Sequence, residues 1–180
     1  MPARWRRGAD CVLAAAWMAM ALPARAQVDI EHFLRVSDRV CTGGQPTAAQ
    51  LAPLKREGIR TIIALRDPAE YDAPGEAAAA REAGLGYLNI PVRTADPKAE
   101  QVVAFLQITA DPAVFPAFIH CGSGNRVGAF WMIRRVLVDG WTEEKAEEEA
   151  RRIGMRSPNL LDFARDYIRR HPKVTLGEGS

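Results

Sequence analysis

The chain has 180 residues, and its 24 Lys and Arg against 22 Asp and Glu give a formal net charge of only +2. This length suits one domain with a substantial core, and the near-neutral balance gives no electrostatic case for nucleic-acid binding. Three histidines, three cysteines and the lack of HExxH or CxxC spacing give no case for a metal site, so no cofactor is expected.

The first 26 residues have the pattern of a secretory signal peptide. Three arginines among the first seven residues precede a short apolar stretch, which ends in Ala-Arg-Ala at positions 24–26. A membrane-spanning helix needs about 20 apolar residues, so a cleaved leader is favoured over an anchor. Cleavage after Ala26, export to the periplasm and no stable membrane insertion afterwards are therefore predicted. Residues 27–180 are expected to form a single domain.

In the predicted exported domain, apolar strand-like runs alternate with helical patterns. The predicted strands are Arg39–Cys41, Thr61–Leu65, Tyr87–Val92 and Val114–His120, and the helices between them are Thr47–Glu57, Gly75–Ala83 and Pro97–Thr109. This alternation indicates a short, mainly parallel α/β sheet of about four to five strands flanked by helices. Ligands of such sheets bind beyond the carboxyl ends of the strands.

The C-terminal third is predicted to be helical. Arg126–Val138 is apolar nearly all round, which is typical of a central buried helix. Thr142–Ile153 carries acidic residues in its first turn and arginines in its last. Ser157-Pro158 opens a final helix with one apolar face.

A glycine-rich loop joins the last predicted strand to the buried helix in the stretch IHCGSGNRVGAF, residues 119–130. Unpaired backbone N–H groups and the helix dipole at such a junction attract an anion, and they would stabilise a nucleophilic thiolate at Cys121. Arg126 is spaced to take two oxygens of a bound tetrahedral anion. The loop therefore predicts attack by sulfur on a phosphoryl or sulfane centre.

The residues between the cysteine and the arginine are expected to contact the bound anion. They are Gly122, Ser123, Gly124 and Asn125, and the side chains of Ser123 and Asn125 are expected to support either the thiolate or the fold. The two glycines leave room for the backbone to turn its N–H groups inward. His120 is expected to support the loop through hydrogen bonds.

His120, Cys121, Gly124 and Arg126 resemble the signature loop of the cysteine-dependent protein tyrosine and dual-specificity phosphatases. GGQP at 43–46 and TIIALRDPAEYD at 61–72 extend the resemblance over about residues 36–171. It looks closest to the small bacterial phosphatase-like proteins related to the domain found beside β-lactamase-like hydrolases. The resemblance implies a phosphatase-like fold, a phosphorylated substrate, a phosphocysteine intermediate, phosphate binding by the arginine, and no metal.

The loop departs from this family in one respect. Phosphatases of this kind have five residues between the cysteine and the arginine, whereas here there are four, and Val127 stands where the longer loop has its arginine. The shorter spacing resembles rhodanese-type sulfurtransferases, in which the cysteine carries a persulfide. The order of strands and helices and the preceding histidine favour the phosphatase, and a non-catalytic module that binds phosphate or sulfate is the third hypothesis.

A phosphatase also needs an acid that protonates the leaving oxygen. Asp96 is the predicted acid, because it lies 25 residues before Cys121, where the dual-specificity phosphatases keep a mobile acid loop. A turn or helix cap before Pro97 is the alternative role. Asp67 and Asp72 are weaker candidates.

Three further residues lie near predicted strand ends. Gln45 and Arg66 are expected either to border the mouth of the site or to have structural roles. Cys41 is predicted either to be a buried thiol or to form a reversible disulfide with Cys121.

Overall fold

The computed structural model describes residues 28–171. The predicted leader and its cleavage site lie outside this range, so export stays a prediction. Within it, no helix is both long and apolar enough to span a bilayer.

The centre of the fold is a five-stranded sheet. Its strands are β1 Leu34–Ser37, β2 Val40–Gly43, β3 Thr61–Ala64, β4 Gly86–Asn89 and β5 Ala117–His120. They lie in the order β1-β2-β5-β3-β4, and all neighbours are parallel except the antiparallel pair β1 and β2. This arrangement confirms the predicted α/β class and places β5 in the middle.

Within residues 28–171, six α-helices surround the sheet. They are α1 Ala48–Arg56, α2 Ala73–Glu82, α3 Ala99–Ala110, α4 Asn125–Leu137, α5 Glu143–Ile153 and α6 Pro158–Arg170. The last two begin with side-chain caps, because Thr142 Oγ1 accepts from Lys145 N and Ser157 Oγ accepts from Leu160 N. The predicted helical C-terminal third is therefore confirmed.

Several strand bounds differ from those predicted. Strand β1 was missed, since it is an edge strand with no fully buried residue and so has a weak apolar pattern. The last strand begins at Ala117 rather than Val114, because Pro112–Val114 forms a 3₁₀ turn. Strand β4 ends at Asn89 rather than Val92, because Pro91 has no N–H to donate to the ladder.

The sheet separates two hydrophobic cores. One contains α1 residues such as Leu54 together with Cys41 and Phe118, and the other contains most of α4 together with Cys121. The two cysteines thus pack in different cores, and no disulfide joins them. The disulfide hypothesis finds no support in this geometry.

Helices α4 and α5 pack at very close range through Gly128. A Cβ atom at this position would lie 2.6 Å from the Ala150 carbonyl oxygen and 2.8 Å from Met155 Cβ. Both distances are too short for a real contact, so only glycine allows this helix crossing. The crossing matters for function because α4 begins at the end of the cysteine loop.

Replacing Gly128 should therefore destabilise the whole domain. We expect Gly128→Ala to lower the free energy of unfolding by about 1–3 kcal/mol, because overpacking outweighs the gain in helix propensity. Gly86→Ala is the control, since the nearest atom to its Cβ would be Thr61 Oγ1 at an ordinary 3.4 Å. Urea unfolding of both variants measures the difference, and equal stabilities would contradict the close-crossing account.

Candidate active site

The carboxyl ends of the four parallel strands meet at one edge of the sheet, and Cys121 follows the central one directly. Its side chain is 1% exposed, and its backbone N–H donates to the Gly43 carbonyl oxygen at the end of β2. The loop then reaches Gly124, which has a left-handed φ of +81° and precedes the first residue of α4. The predicted strand, glycine-rich loop and helix N-terminus are thus adjacent.

The turn between α5 and α6 supports the loop on one side. A Cβ atom at Gly124 would overlap the Ile153 carbonyl oxygen, and one at Gly154 would lie 2.5 Å from the Ser123 carbonyl oxygen. Both glycines are therefore required by close approach of backbone to backbone. The C-terminal helices consequently shape the loop without contributing a reacting group.

Asn125 holds the same turn with its side chain. Its Oδ1 accepts hydrogen bonds from Arg156 N at 3.0 Å and Ser157 N at 3.1 Å. Of the two roles expected for the Asn125 side chain, these hydrogen bonds favour support of the fold, and the predicted contact of Asn125 with an anion stays a prediction.

Arg126 is buried beside the loop and paired with a carboxylate. Its Nη1 and Nη2 donate to the two carboxylate oxygens of Glu70 at 2.9 and 2.8 Å, and Nη1 also donates to the Val92 carbonyl oxygen at 2.6 Å. A two-point contact of this kind fixes the plane of the guanidinium. Arg126 is only 6% exposed, so this pairing also compensates its buried charge.

The guanidinium of Arg126 lies over the start of the loop. A Cβ atom at Gly122 would be 3.6 Å from its Nη2. Burial by itself would lower the pKa of Arg126, but the hydrogen bonds and charges of Glu70 and Cys121 raise it. Cys121, Gly122 and Arg126 therefore meet as predicted, with a fixed positive charge beside the sulfur.

Glu70 was missed by the sequence analysis. It ends the 3₁₀ turn Pro68–Glu70, which Asp67 begins by accepting from Ala69 N at 3.0 Å. Arg66 Nη2 donates to the Glu70 carbonyl oxygen and holds the other end of the turn. The Asp-Pro pair at 67–68 is a local signal for this turn, but no local signal connects it to Arg126.

His120 lies behind the loop and is fully buried. Its ring stacks on Phe118, and its Nε2 lies 3.1 Å from Glu76 Oε1. Its Nδ1 lies 3.4 Å from the Cys121 carbonyl oxygen. This placement suits the supporting role that was predicted for His120.

Polar side chains surround the Glu76 carboxylate. Gln45 Nε2 donates to it at 2.7 Å, and Tyr87 donates at 3.1 Å. Burial alone would raise the pKa of Glu76, but the hydrogen bond and charge of His120, together with these donors, lower it. Arg66 Nη1 donates to Gln45 Oε1, which joins this cluster to the Glu70 turn. Gln45 and Arg66 thus have structural partners at the site.

The predicted acid, Asp96, lies on the loop between β4 and α3. Its side chain is 63% exposed and pairs with Lys98 at 2.6 Å. No hydrogen bond or ion pair joins Asp96 to Cys121 or Arg126. The Thr94 carbonyl oxygen on the same loop accepts from Asn159, so α6 helps to fix the loop.

The two weaker acid candidates have evident structural roles. Asp72 caps α2 by accepting from Gly75 N. Asp67 accepts from Ala69 N and pairs with Arg93 at 2.7 Å, and these interactions lower its pKa. A carboxyl group with a lowered pKa is a poor proton donor near neutral pH, so Asp67 gains no support as the acid. Between residues 28 and 171, no group of three or more His, Cys, Asp or Glu side chains is arranged to hold a metal ion.

The chain matches a protein-family model described as a DSP-PTPase phosphatase fused to NAD+ kinase, over residues 13–163. The β-lactamase hydrolase-like protein of Xylella fastidiosa is 34% identical over 144 residues, which are 78% of this chain and 33% of the relative. The dual specificity protein phosphatase TpbA of Pseudomonas aeruginosa is 28% identical over 140 residues, 77% of this chain and 62% of the relative. The chain thus spans about a third of the Xylella protein.

The fold is also similar to solved structures. The crystal structure of a putative phosphatase from Shewanella putrefaciens superimposes with a TM-score of 0.68 at 22% identity. The match covers 80% of this chain and 95% of that one. The likeness extends to nearly the whole length of the Shewanella chain, so the two chains share the same fold.

The carboxylate of Glu76 should make the stability of the domain depend on pH. Its pKa is lower in the folded chain than in the unfolded one, so its stabilising effect is complete above its unfolded pKa of about 4.3 and is lost as the pH falls through the folded value. We therefore expect Glu76→Gln to cost more stability at neutral pH than well below pH 4.3.

Urea unfolding at both pH values measures this difference. Glu148→Gln, which changes an exposed carboxyl group on α5, is the matched control. An equal loss of stability at the two pH values for Glu76→Gln would show that the charge of Glu76 contributes nothing.

Proposed function

Because this chain belongs to the family of DSP-PTPase phosphatases fused to NAD+ kinase, a branch of the cysteine-dependent phosphatases, we propose that it hydrolyses phosphomonoesters through a phosphocysteine at Cys121. The observation that carries this proposal is the position of the Arg126 guanidinium. Glu70 and the Val92 carbonyl oxygen fix it beside Cys121 and over Gly122, and the second N–H of Nη2, which Glu70 does not use, can bind an oxygen of a phosphoryl group there.

The reaction proceeds in two displacements. The Cys121 thiolate attacks phosphorus, so that an S–P bond forms while the P–O bond to the leaving group breaks and the leaving oxygen takes a proton from an acid. Water then attacks phosphorus, gives a proton to the conjugate base of that acid, and releases inorganic phosphate and the thiolate. Arg126 and the loop N–H groups balance the charge of the transferring phosphoryl group, so this chemistry needs no metal.

We propose phosphoproteins, including phosphotyrosine proteins, as the substrates. The relative TpbA is named a dual specificity protein phosphatase, which supports this class. Export to the periplasm, if the leader at residues 1–26 is cleaved, would put these substrates outside the cytoplasm.

A sulfurtransferase is the second candidate, and the spacing of the loop favours it. Four residues rather than five separate Cys121 from Arg126. In this reaction the thiolate attacks the outer sulfur of thiosulfate, an S–S bond forms and sulfite leaves. Cyanide then removes the sulfur from the persulfide as thiocyanate.

One paired assay separates the candidates. We expect wild-type protein to hydrolyse an aryl phosphate in a vanadate-sensitive reaction, and Cys121→Ser to lose this activity because serine is a far weaker nucleophile. Cys41→Ala is the control, since Cys41 packs in the opposite core. Thiocyanate formation from thiosulfate and cyanide, without phosphate release, would overturn the phosphatase in favour of the sulfurtransferase. Anion binding without either turnover would contradict both.

The role proposed for Asp96 is tested by changing the leaving group. An acid matters most for a poor leaving group, so we expect Asp96→Asn to slow the hydrolysis of phenyl phosphate by about 10²-fold or more. The same substitution should slow the hydrolysis of an aryl phosphate with an acidic phenol much less. Asp67→Asn is the comparison, because Asp67 is held by Arg93. An Asp96→Asn variant with unchanged rates on both esters would remove Asp96 as the acid.

A further inference from the structure

Residues 28–33, which precede β1, pack against the outer side of the cysteine loop. The Glu31 carbonyl oxygen accepts from Gly44 N at 2.7 Å, and the Phe33 ring stacks on Phe118 at 6.0 Å between centroids. A Cβ atom at Gly44 would lie 3.0 Å from the Gly122 carbonyl oxygen and 3.2 Å from that of Glu31. This segment, Gly44 and the loop are therefore in direct contact.

His32 lies at the centre of this contact. Its φ of +53° is left-handed, which is uncommon for a residue with a side chain, although histidine adopts it more readily than most. Its ring Nδ1 lies 3.0 Å from the Ser123 carbonyl oxygen. A carbonyl oxygen only accepts, so Nδ1 carries the hydrogen and donates it.

Two consecutive carbonyl groups of the loop are held by donors in this way. Gln45 N donates to the Gly122 carbonyl oxygen at 3.1 Å, and the His32 ring donates to that of Ser123. A carbonyl oxygen is the negative end of the peptide dipole, so either group would repel a bound anion if it turned into the loop. Their outward orientation is a condition for anion binding.

We propose that His32 is a positioning residue that keeps the Ser123 carbonyl group out of the anion site. The inference rests on the proposed function, because it concerns the phosphoryl group bound at Cys121. The peptide between Ser123 and Gly124 has conformational freedom, because glycine tolerates either sign of φ and so permits the peptide to rotate. The hydrogen bond from His32 opposes that rotation.

Two substitutions distinguish the effect of the His32 side-chain donor from the effect of its left-handed backbone conformation. His32→Gly accepts the left-handed φ but has no side-chain donor, whereas His32→Asn tolerates this φ and keeps an N–H group near the position of Nδ1. We expect His32→Gly to weaken inhibition by vanadate and to raise KM for an aryl phosphate by about tenfold, with a smaller change in kcat. His32→Asn should recover most of the loss.

His171→Ala is the matched control. The His171 Nδ1 also lies within hydrogen-bonding distance of a carbonyl oxygen, that of Tyr167 at 2.8 Å, but His171 is at the far end of α6 from the turn that contacts the loop. We expect its vanadate inhibition and KM to match those of the wild type.

The NMR resonance of the Gly124 amide in the unliganded protein gives a readout that does not depend on activity. It should shift in His32→Gly and return towards the wild-type position in His32→Asn. Unchanged vanadate inhibition, KM and Gly124 resonance in His32→Gly would overturn the positioning role while leaving the phosphatase intact. A wild-type protein that neither binds vanadate nor hydrolyses the aryl phosphate would contradict the proposed function instead. The Gly124 amide resonance alone would then test whether His32 positions the Ser123 carbonyl group.

Discussion

The pairing of Glu70 with Arg126 is the interaction on which the site depends. The guanidinium of Arg126, a residue that is 6% exposed, would cost several kcal/mol if it were left without a partner, because water hardly solvates it. Glu70 comes from the segment after β3, the Val92 carbonyl group from the segment after β4, and Arg126 from the helix after β5. The charge beside Cys121 is therefore stable only while these three strands end at the same edge of the sheet.

The glycine-rich loop has little conformational preference of its own, so the segments that pack against it determine its conformation. The turn between α5 and α6 packs on Gly124 from one side, and the segment 28–33 contacts the loop through His32 and Gly44 from another. The C-terminal helices and the residues before β1 contribute no reacting atom. They nevertheless fix where the loop carbonyl groups point, and this decides whether the loop attracts or repels an anion.

The sequence predicts the features that depend on local patterns. The alternation of strands and helices gives the α/β class, and the glycine-rich junction with Cys121 and Arg126 locates the site. Glu70 and His32 could not be predicted, because they reach their partners across 56 and 91 positions and no local pattern reports such a contact. The hydrogen bonds of the Asn125 side chain could not be predicted for the same reason, since its partners in the α5–α6 turn are remote in sequence.

The central claim is that phosphorus, and not sulfur, becomes bonded to Cys121 during turnover. Rapid acid quenching during steady-state hydrolysis of an aryl phosphate, followed by mass spectrometry of the peptide that contains Cys121, tests it most directly. We expect a peptide heavier by one phosphoryl group. A peptide that stays unmodified throughout turnover would contradict a phosphocysteine intermediate. So would a peptide that forms no phosphoryl adduct with the ester but gains a single sulfur atom when thiosulfate is supplied.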